Sequence, residues 1–214
     1  MRDLRICFVG DSYINGSGDE QCLGWIGRLC QARFDRQFRL TFYDLGIRGA
    51  TTDEIRDRWR HECASRFPDG ADNRVVLQFG INDVAEIAGS GRRVEEDASV
   101  ANAEAIVREA AAHYPTIWVG VPPANVACSP MRPSAGLEIN FRQETAMALN
   151  RRYMSLAAEI GVPYLDIHSP LLASPHYMHS LTLGDHMHCD GTGYAMMADL
   201  VDRWDAWASW FEDA

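Results

Sequence analysis

Apolar and polar positions along the chain alternate between two spacings, one of about two residues and one of about 3.6. Residues 6–9, Ile-Cys-Phe-Val, form a short β-branched and aromatic run that predicts a buried strand ending at Gly10. Leu23, Ile26, Leu29, Cys30 and Phe34 then recur at helical spacing. A second strand is expected over 39–45, where Leu40, Phe42 and Leu45 are separated by polar or amphipathic residues. Thr51 and Glu54 make a capping box for a helix to about Arg66, which Pro68-Asp69-Gly70 breaks. Val75, Val76 and Leu77 centre a third strand over 74–79. A helix over 95–113 and a fourth strand over 116–121 follow, closed by Pro122 and Pro123. Residues 125–136 are rich in proline and serine and read as an irregular loop, and 137–159 as a long helix stopped by Gly161. A fifth strand over 162–166 and a long loop over 168–190 complete the pattern. The last helix carries Tyr194, Met197, Val201 and Trp204 on one face.

Strands alternating with helices at these spacings predict a parallel sheet covered on both faces. The expected fold is a three-layer α/β/α sandwich with five parallel strands in the flavodoxin-like order 2-1-3-4-5. That order sets the end of the first strand at the switch point, where open α/β sheets bind ligands. No repeat, linker or low-complexity tract divides the chain, so residues 1–214 are read as one domain. A chain of this length buries roughly 70% of its unfolded surface on folding.

Composition narrows the function. The formal charge of −10 argues against a nucleic-acid partner and an anionic membrane surface. All 20 basic residues are arginine, which removes a P-loop lysine, a Schiff-base lysine and a Ser-x-x-Lys arrangement. No leader-like or membrane-spanning stretch is evident, so a cytoplasmic location without stable membrane insertion is expected. Cys7, Cys22, Cys30, Cys63, Cys128 and Cys189 are then expected to stay reduced, and none forms a Cys-x-x-Cys pair.

The polar residues with chemical potential all follow predicted strands on the same edge of the sheet. Ser12 follows the first, Gly49 the second, Asn82 and Asp83 the third, and Asp185 and His188 the fifth. A serine hydroxyl is a weak nucleophile and needs a base within hydrogen-bond reach. Of seven histidines, only His188 has a carboxylate three residues before it, so Asp185 could orient its ring. The Asn82 amide and the backbone N–H groups of Gly49 and Ser12 could together hold an oxyanion, with Gly46 a competitor for the glycine position.

These four blocks, Gly10-Asp11-Ser12, Gly49, Gly80-Ile81-Asn82-Asp83 and Asp185-x-x-His188, resemble the SGNH hydrolases, or GDSL esterase/lipase family. They stand in the family's order and span essentially the whole chain. The resemblance implies Ser12 as nucleophile, His188 as base and Asp185 as third triad member. It also implies an oxyanion hole from Ser12 N–H, Gly49 N–H and the Asn82 side chain. Tyr13 replaces the leucine of the family's name, and Cys189 stands where proline often follows the histidine.

The expectation is therefore a serine ester hydrolase that cleaves small acyl esters, thioesters included, through an acyl-serine intermediate. No metal or organic cofactor is expected, and the partner is a small-molecule ester. Oligomeric state is left open, with a homodimer among the options. The loops over 125–136 and 168–183 are expected to shape the pocket. Two other readings compete. His176, His179, Asp185, His186, His188 and Asp190 could form a metal-dependent hydrolytic site, or the domain could bind an acyl ligand without cleaving it. Gly16-Ser17-Gly18 lacks the third glycine of a dinucleotide loop, and no Gly-x-Ser-x-Gly elbow occurs. Trp204, Trp207 and Trp210 read as core packing rather than an oligomer contact.

Overall fold

The computed structural model describes residues 1–35, 38–123, 125–126, 129–185 and 187–212. Five parallel strands form the main sheet: β1 (Arg2–Gly10), β2 (Phe38–Gly46), β3 (Asp72–Gln78), β6 (Thr116–Val119) and β9 (Tyr164–Leu165). Their spatial order is β2-β1-β3-β6-β9. Counted along the chain, this is the expected order 2-1-3-4-5. The apolar run of β1 from Ile6 to Val9 explains its central place, since that part of the strand has sheet on both sides and is wholly buried. Leu4, Ile6, Cys7, Phe8 and Val9 are all fully buried. In register, Gly10 faces Gly46 of β2 on one side and Gln78 of β3 on the other, so three strands end level with one another.

Helices cover the sheet in two groups. Helix α2 (Gly24–Ala32) packs with α8 (Gly191–Asp202), while α3 (Thr52–Ala64), α4 (Glu96–His113) and α5 (Gln143–Ile160) pack in succession. The capping box at the start of α3 is formed, with the Thr51 N–H donating to Glu54 Oε2 at 2.8 Å. Trp207, on α9 (Asp205–Ala208), is fully buried beside Phe8 and Phe42, and Trp210 is also buried. Trp204 lies between α8, which ends at Asp202, and α9, rather than on the same helix as Tyr194; it packs against the same core, so the tryptophans near the C-terminus serve packing. Five cysteines are free thiols, and Cys128 lies outside the described residues. Among the described residues no helix is long and apolar enough to cross a membrane.

Two stretches differ from expectation. Part of the 125–136 segment and the start of the expected long helix instead form a hairpin, β7 (Met131–Ser134) and β8 (Leu137–Asn140). The hairpin joins β4 (Glu86–Ile87) and β5 (Gly91–Arg92) in a second sheet of order β5-β4-β8-β7. Leu137 and Ile139 alternate with Glu138 and Asn140, a two-residue period too short to separate from the helix that begins at Gln143. Within 168–190, α6 (His168–Leu172) and α7 (Pro175–Leu183) replace the expected loop. Ser174 caps α7 by accepting from the Tyr177 N–H, with Pro175 in its first turn.

Candidate active site

Ser12 is the first residue of a one-turn helix, α1 (Ser12–Asn15), that begins directly after β1. Asp11 caps this turn by accepting from the Tyr13 N–H at 2.9 Å. A capping role for Asp11 and a chemical role for Ser12 are thus compatible: the cap turns the chain sharply at the sheet edge and fixes the serine there.

His188 arrives from the segment between α7 and α8. Its Nε2 lies 2.7 Å from Ser12 Oγ, and both residues are buried. Its Nδ1 lies 2.9 Å from both carboxylate oxygens of Asp185. A carboxylate only accepts, so Nδ1 carries the proton and Nε2 is left as an acceptor for the serine hydroxyl. Asp185 Oδ1 also accepts from the backbone N–H groups of Met187 and His188, at 3.0 and 2.8 Å. The three-residue spacing therefore makes a closed turn in which one carboxylate holds both backbone and ring. Burial pushes the Asp185 carboxyl upward. The hydrogen bond and charge of His188 and the two backbone N–H groups outweigh it, holding the acid well below the ordinary carboxylate range.

The other face of His188 rests on Gly18. A Cβ at Gly18 would lie 2.9 Å from His188 Cβ, so the glycine leaves room for the imidazole. Tyr13 presents its ring edge-on to His188 at 5.2 Å between centroids, and its hydroxyl donates to the Met187 carbonyl at 3.4 Å. Cys189 is fully buried, and Asp190 caps α8 through the Thr192 and Gly193 N–H groups. The loop is thus anchored on both sides of the histidine without a proline. Sequence reasoning assigned no role to Gly18 or to the Tyr13 ring; the adjacency of Tyr13 to Ser12 was the available signal for the second.

Asn82 is buried and donates one amide hydrogen to the Ala50 carbonyl at 3.1 Å, and its side chain also acts on the neighbouring Asp11 carboxyl. Asp83 accepts from the Thr52 N–H at 2.9 Å, from the Thr52 hydroxyl at 2.6 Å and from the Ser99 hydroxyl. Burial raises the Asp83 carboxyl, with these donors partly offsetting it. Asp83 thereby ties the Asn82 loop to the start of α3. The Gly46 N–H donates to Asp44 Oδ1 at 2.8 Å, whereas Gly49 lines the same cleft as Ser12, Asn82 and His188. Gly49 has φ +77°, a backbone region that favours glycine.

Arg58 locks this edge from beneath, donating to the carbonyls of Gly10 at 2.7 Å and Leu45 at 2.9 Å. Asp11 Oδ2 is buried without a hydrogen-bond partner among the described residues. Burial pushes the Asp11 carboxyl up to about 7, with the Asp83 charge adding to it and the Tyr13 N–H, the Arg58 charge and the Asn82 side chain only partly offsetting it.

On one side of Ser12 lies an apolar slot of about 10 Å³, lined by Tyr13, Ile81, Met131, Phe141 and Met187. An adjoining open cleft of about 210 Å³ shares Ser12, Asn82, Phe141, Met187 and His188 with the slot and adds Gly49 and Ile139. Asn125 and Met131, from one of the two segments expected to shape the pocket, line the slot. The 168–183 segment stands behind it, with Asn125 Nδ2 donating to the Leu181 carbonyl at 2.7 Å. The histidine-rich stretch is dispersed: His176 and His179 lie on α7, Asp190 caps α8, and His186 is outside the described residues. Among the described residues no three His, Cys, Asp or Glu side chains converge as a metal-ligand set.

A buried serine hydroxyl, a buried histidine ring and the solvent-exposed Asp185 carboxylate thus stand in line at the edge of the parallel sheet. The model of the GDSL-like Lipase/Acylhydrolase family matches residues 8–196, and the chain belongs to that family. In fold it is similar to a lipase/acylhydrolase from Enterococcus faecalis, at TM-score 0.71 and 22% identity over 95% of this chain and 94% of that one. It is likewise similar to Axe2, an acetylxylan esterase from Geobacillus stearothermophilus, at TM-score 0.68 and 20% identity over 93% and 92%. A third similar structure is LAE5, an α/β hydrolase enzyme from the metagenome of Lake Arreo, Spain, at TM-score 0.68 and 19% identity over 98% and 96%. No curated protein sequence matches the chain.

Proposed function

We propose that this chain is a serine ester hydrolase acting on esters of small acyl groups through an acyl-serine intermediate. The observation that carries the reading is the 2.7 Å approach of Ser12 Oγ to His188 Nε2, with Nδ1 of the same ring on Asp185. Membership of an acylhydrolase family agrees with it.

Ser12 Oγ attacks the ester carbonyl carbon as its proton passes to His188 Nε2, and Asp185 stabilises the imidazolium. The carbonyl oxygen becomes an oxyanion, held by the N–H groups of Ser12 and Gly49 and by the Asn82 amide. The bond from carbon to the alcohol oxygen then breaks, the alcohol takes the proton from His188, and the acyl group stays on Ser12. Water next gives a proton to His188 as its oxygen bonds the acyl carbon. The Ser12 ester bond breaks, Oγ recovers the proton, and the carboxylic acid departs. Gly49 is favoured over Gly46 as donor because the Gly46 N–H is engaged by Asp44. The slot has room for about one water molecule, which favours a short acyl group.

Exposure to a fluorophosphonate followed by peptide mass analysis tests this reading. One adduct on Ser12, absent in Ser12→Ala and in His188→Ala, is the expected result. A folded protein that stays unlabelled and turns over no ester would overturn it.

A further inference from the structure

The cleft beside Ser12 is unequal in charge as well as in size. Its open side is bordered by Arg48 and Arg93, and it continues into a groove of about 450 Å³ that shares both arginines with Gly49 and Ile139. In a chain of net charge −10 this pair sets two positive side chains beside the reacting centre.

Each arginine has one carboxylate at the long end of ion-pair distance, and each of those carboxylates has shorter partners of its own. Glu54 lines the groove 3.9 Å from Arg93 Nη2, but its Oε2 already accepts from the Thr51 N–H and hydroxyl. Asp185 lies 3.7 Å from Arg48 Nη2, yet its carboxylate is occupied by His188. Among the described residues Arg48 makes no hydrogen bond, and its side chain is 68% exposed. Arg93 gives one N–H to the Gly49 carbonyl at 2.7 Å, and the rest of its guanidinium remains for another acceptor. Arg58, which also reaches the groove, is committed to Gly10, Leu45 and Glu62. Two guanidinium groups thus face the cleft with donors that the fold does not use, and a planar fork of N–H donors matches carboxylate and phosphate oxygens.

The order of the reaction assigns the open side. The alcohol must leave, and water must enter, while the acyl group remains on Ser12, so the alcohol lies toward the open cleft and the acyl group in the slot. We propose, on the basis of the serine hydrolase reading, that this cleft selects esters whose alcohol portion carries an anion, a carboxylate or a phosphate, with Arg48 and Arg93 as its partners.

The test compares kcat/KM within two matched pairs, each normalised to alkaline hydrolysis: O-acetylglycerol phosphate against O-acetylglycerol, and acetoxyacetate against acetoxyacetamide. Wild type, Arg48→Gln, Arg93→Gln and the double variant are assayed at low and high salt. Taking the ratio within one variant cancels any effect of Arg93 on the Gly49 backbone. An anionic preference of roughly tenfold is expected in wild type, falling by about threefold for each arginine removed, mainly through KM and less at high salt. The pair with the larger ratio identifies the anion. A wild-type ratio near one, or a ratio that survives in the double variant, overturns the proposal. Preferential cleavage of monomethyl succinate over the acetates overturns the assignment of the anion to the alcohol. Fluorophosphonate labelling of Ser12 separates the two levels of failure. Labelling with turnover but no anionic preference removes this inference alone, whereas neither labelling nor turnover removes the hydrolase reading and this inference with it.

Discussion

Ser12 Oγ and His188 Nε2 lie 2.7 Å apart although 176 residues separate them in the chain. The approach is built from two local devices: the Asp11-capped turn that ends β1, and the Asp185 turn that holds His188 by ring and backbone together. Each device is short and closed on itself, so the pair depends mainly on how the β1 edge and the α7–α8 connection meet.

Removal of either member of the pair should abolish most turnover. Ser12→Ala and His188→Ala are each expected to lower kcat roughly 10³- to 10⁶-fold, with the double variant little worse than either single one. Steady-state kinetics on an acetate ester, with circular dichroism to confirm folding, provide the check. Additive losses in the double variant would mean that the two side chains act separately.

Asn82→Ala should lower kcat by about 10²- to 10³-fold with little change in KM, since the proposed mechanism places its amide where charge develops on the carbonyl oxygen. The Ala50 carbonyl would also lose its donor. A thermal melt should accompany the kinetics, and a loss confined to KM would argue against an oxyanion role.

Gly18→Ala should act at a distance from the reacting atoms. Its φ of +89° is strained for alanine, and the new methyl would press on His188 Cβ. Because a misplacement of about 1 Å can cost about 10²-fold, a kcat loss of that order is expected in a folded enzyme. Fluorophosphonate labelling of Ser12 should slow in parallel; unchanged labelling would show that the loop absorbs the methyl.

Asp11→Asn should change stability with a definite pH signature. Below about pH 4 Asp11 is protonated in both the folded and the unfolded chain. Between there and about 7 it is ionised only when unfolded, so the unfolded state binds fewer protons and stability falls as pH rises. Above about 7 that loss is complete. The variant removes it, so its Tm should match wild type near pH 4 and exceed it by pH 8. About three pH units of displacement correspond to on the order of 4 kcal/mol, an upper bound because the new amide N–H2 is itself buried. Melts at three or four pH values would decide, and a Tm difference independent of pH would exclude Asp11 as the titrating group.

The central sheet was readable because its strands are buried on both faces and show as continuous apolar runs, Val75–Val76–Leu77 the plainest of them. The hairpin β7–β8 was not readable, since its strands are four residues long and run almost directly into α5. Helices α6 and α7, five and nine residues long, were similarly hidden, although Ser174-Pro175 is a start signal in its own right. For the candidate site, Ser12 and Asn82 each follow a strand, while Asp185 and His188 follow α7 and were legible through their three-residue spacing. Which glycine faces the cleft was not legible, because Gly46 and Gly49 differ in what their N–H groups meet, and that is set by Asp44 and the turn between them. The place of Gly18 against His188 rests on a contact between distant parts of the chain that no local pattern encodes.

The second sheet shares no strand with the first, yet its β7–β8 hairpin contributes Met131 and Ile139 to the walls around Ser12, and Phe141 follows directly. None of the residues assigned to bond making and breaking lies on it. Sequence drift in this hairpin can therefore remodel what fits against the serine while leaving the Asp11 turn, the Asp185 turn and the β1 edge as they are. Such a division separates selection from chemistry: under the proposed reading, exchanges within residues 131–140 alter what the walls admit and leave the reacting atoms where they are.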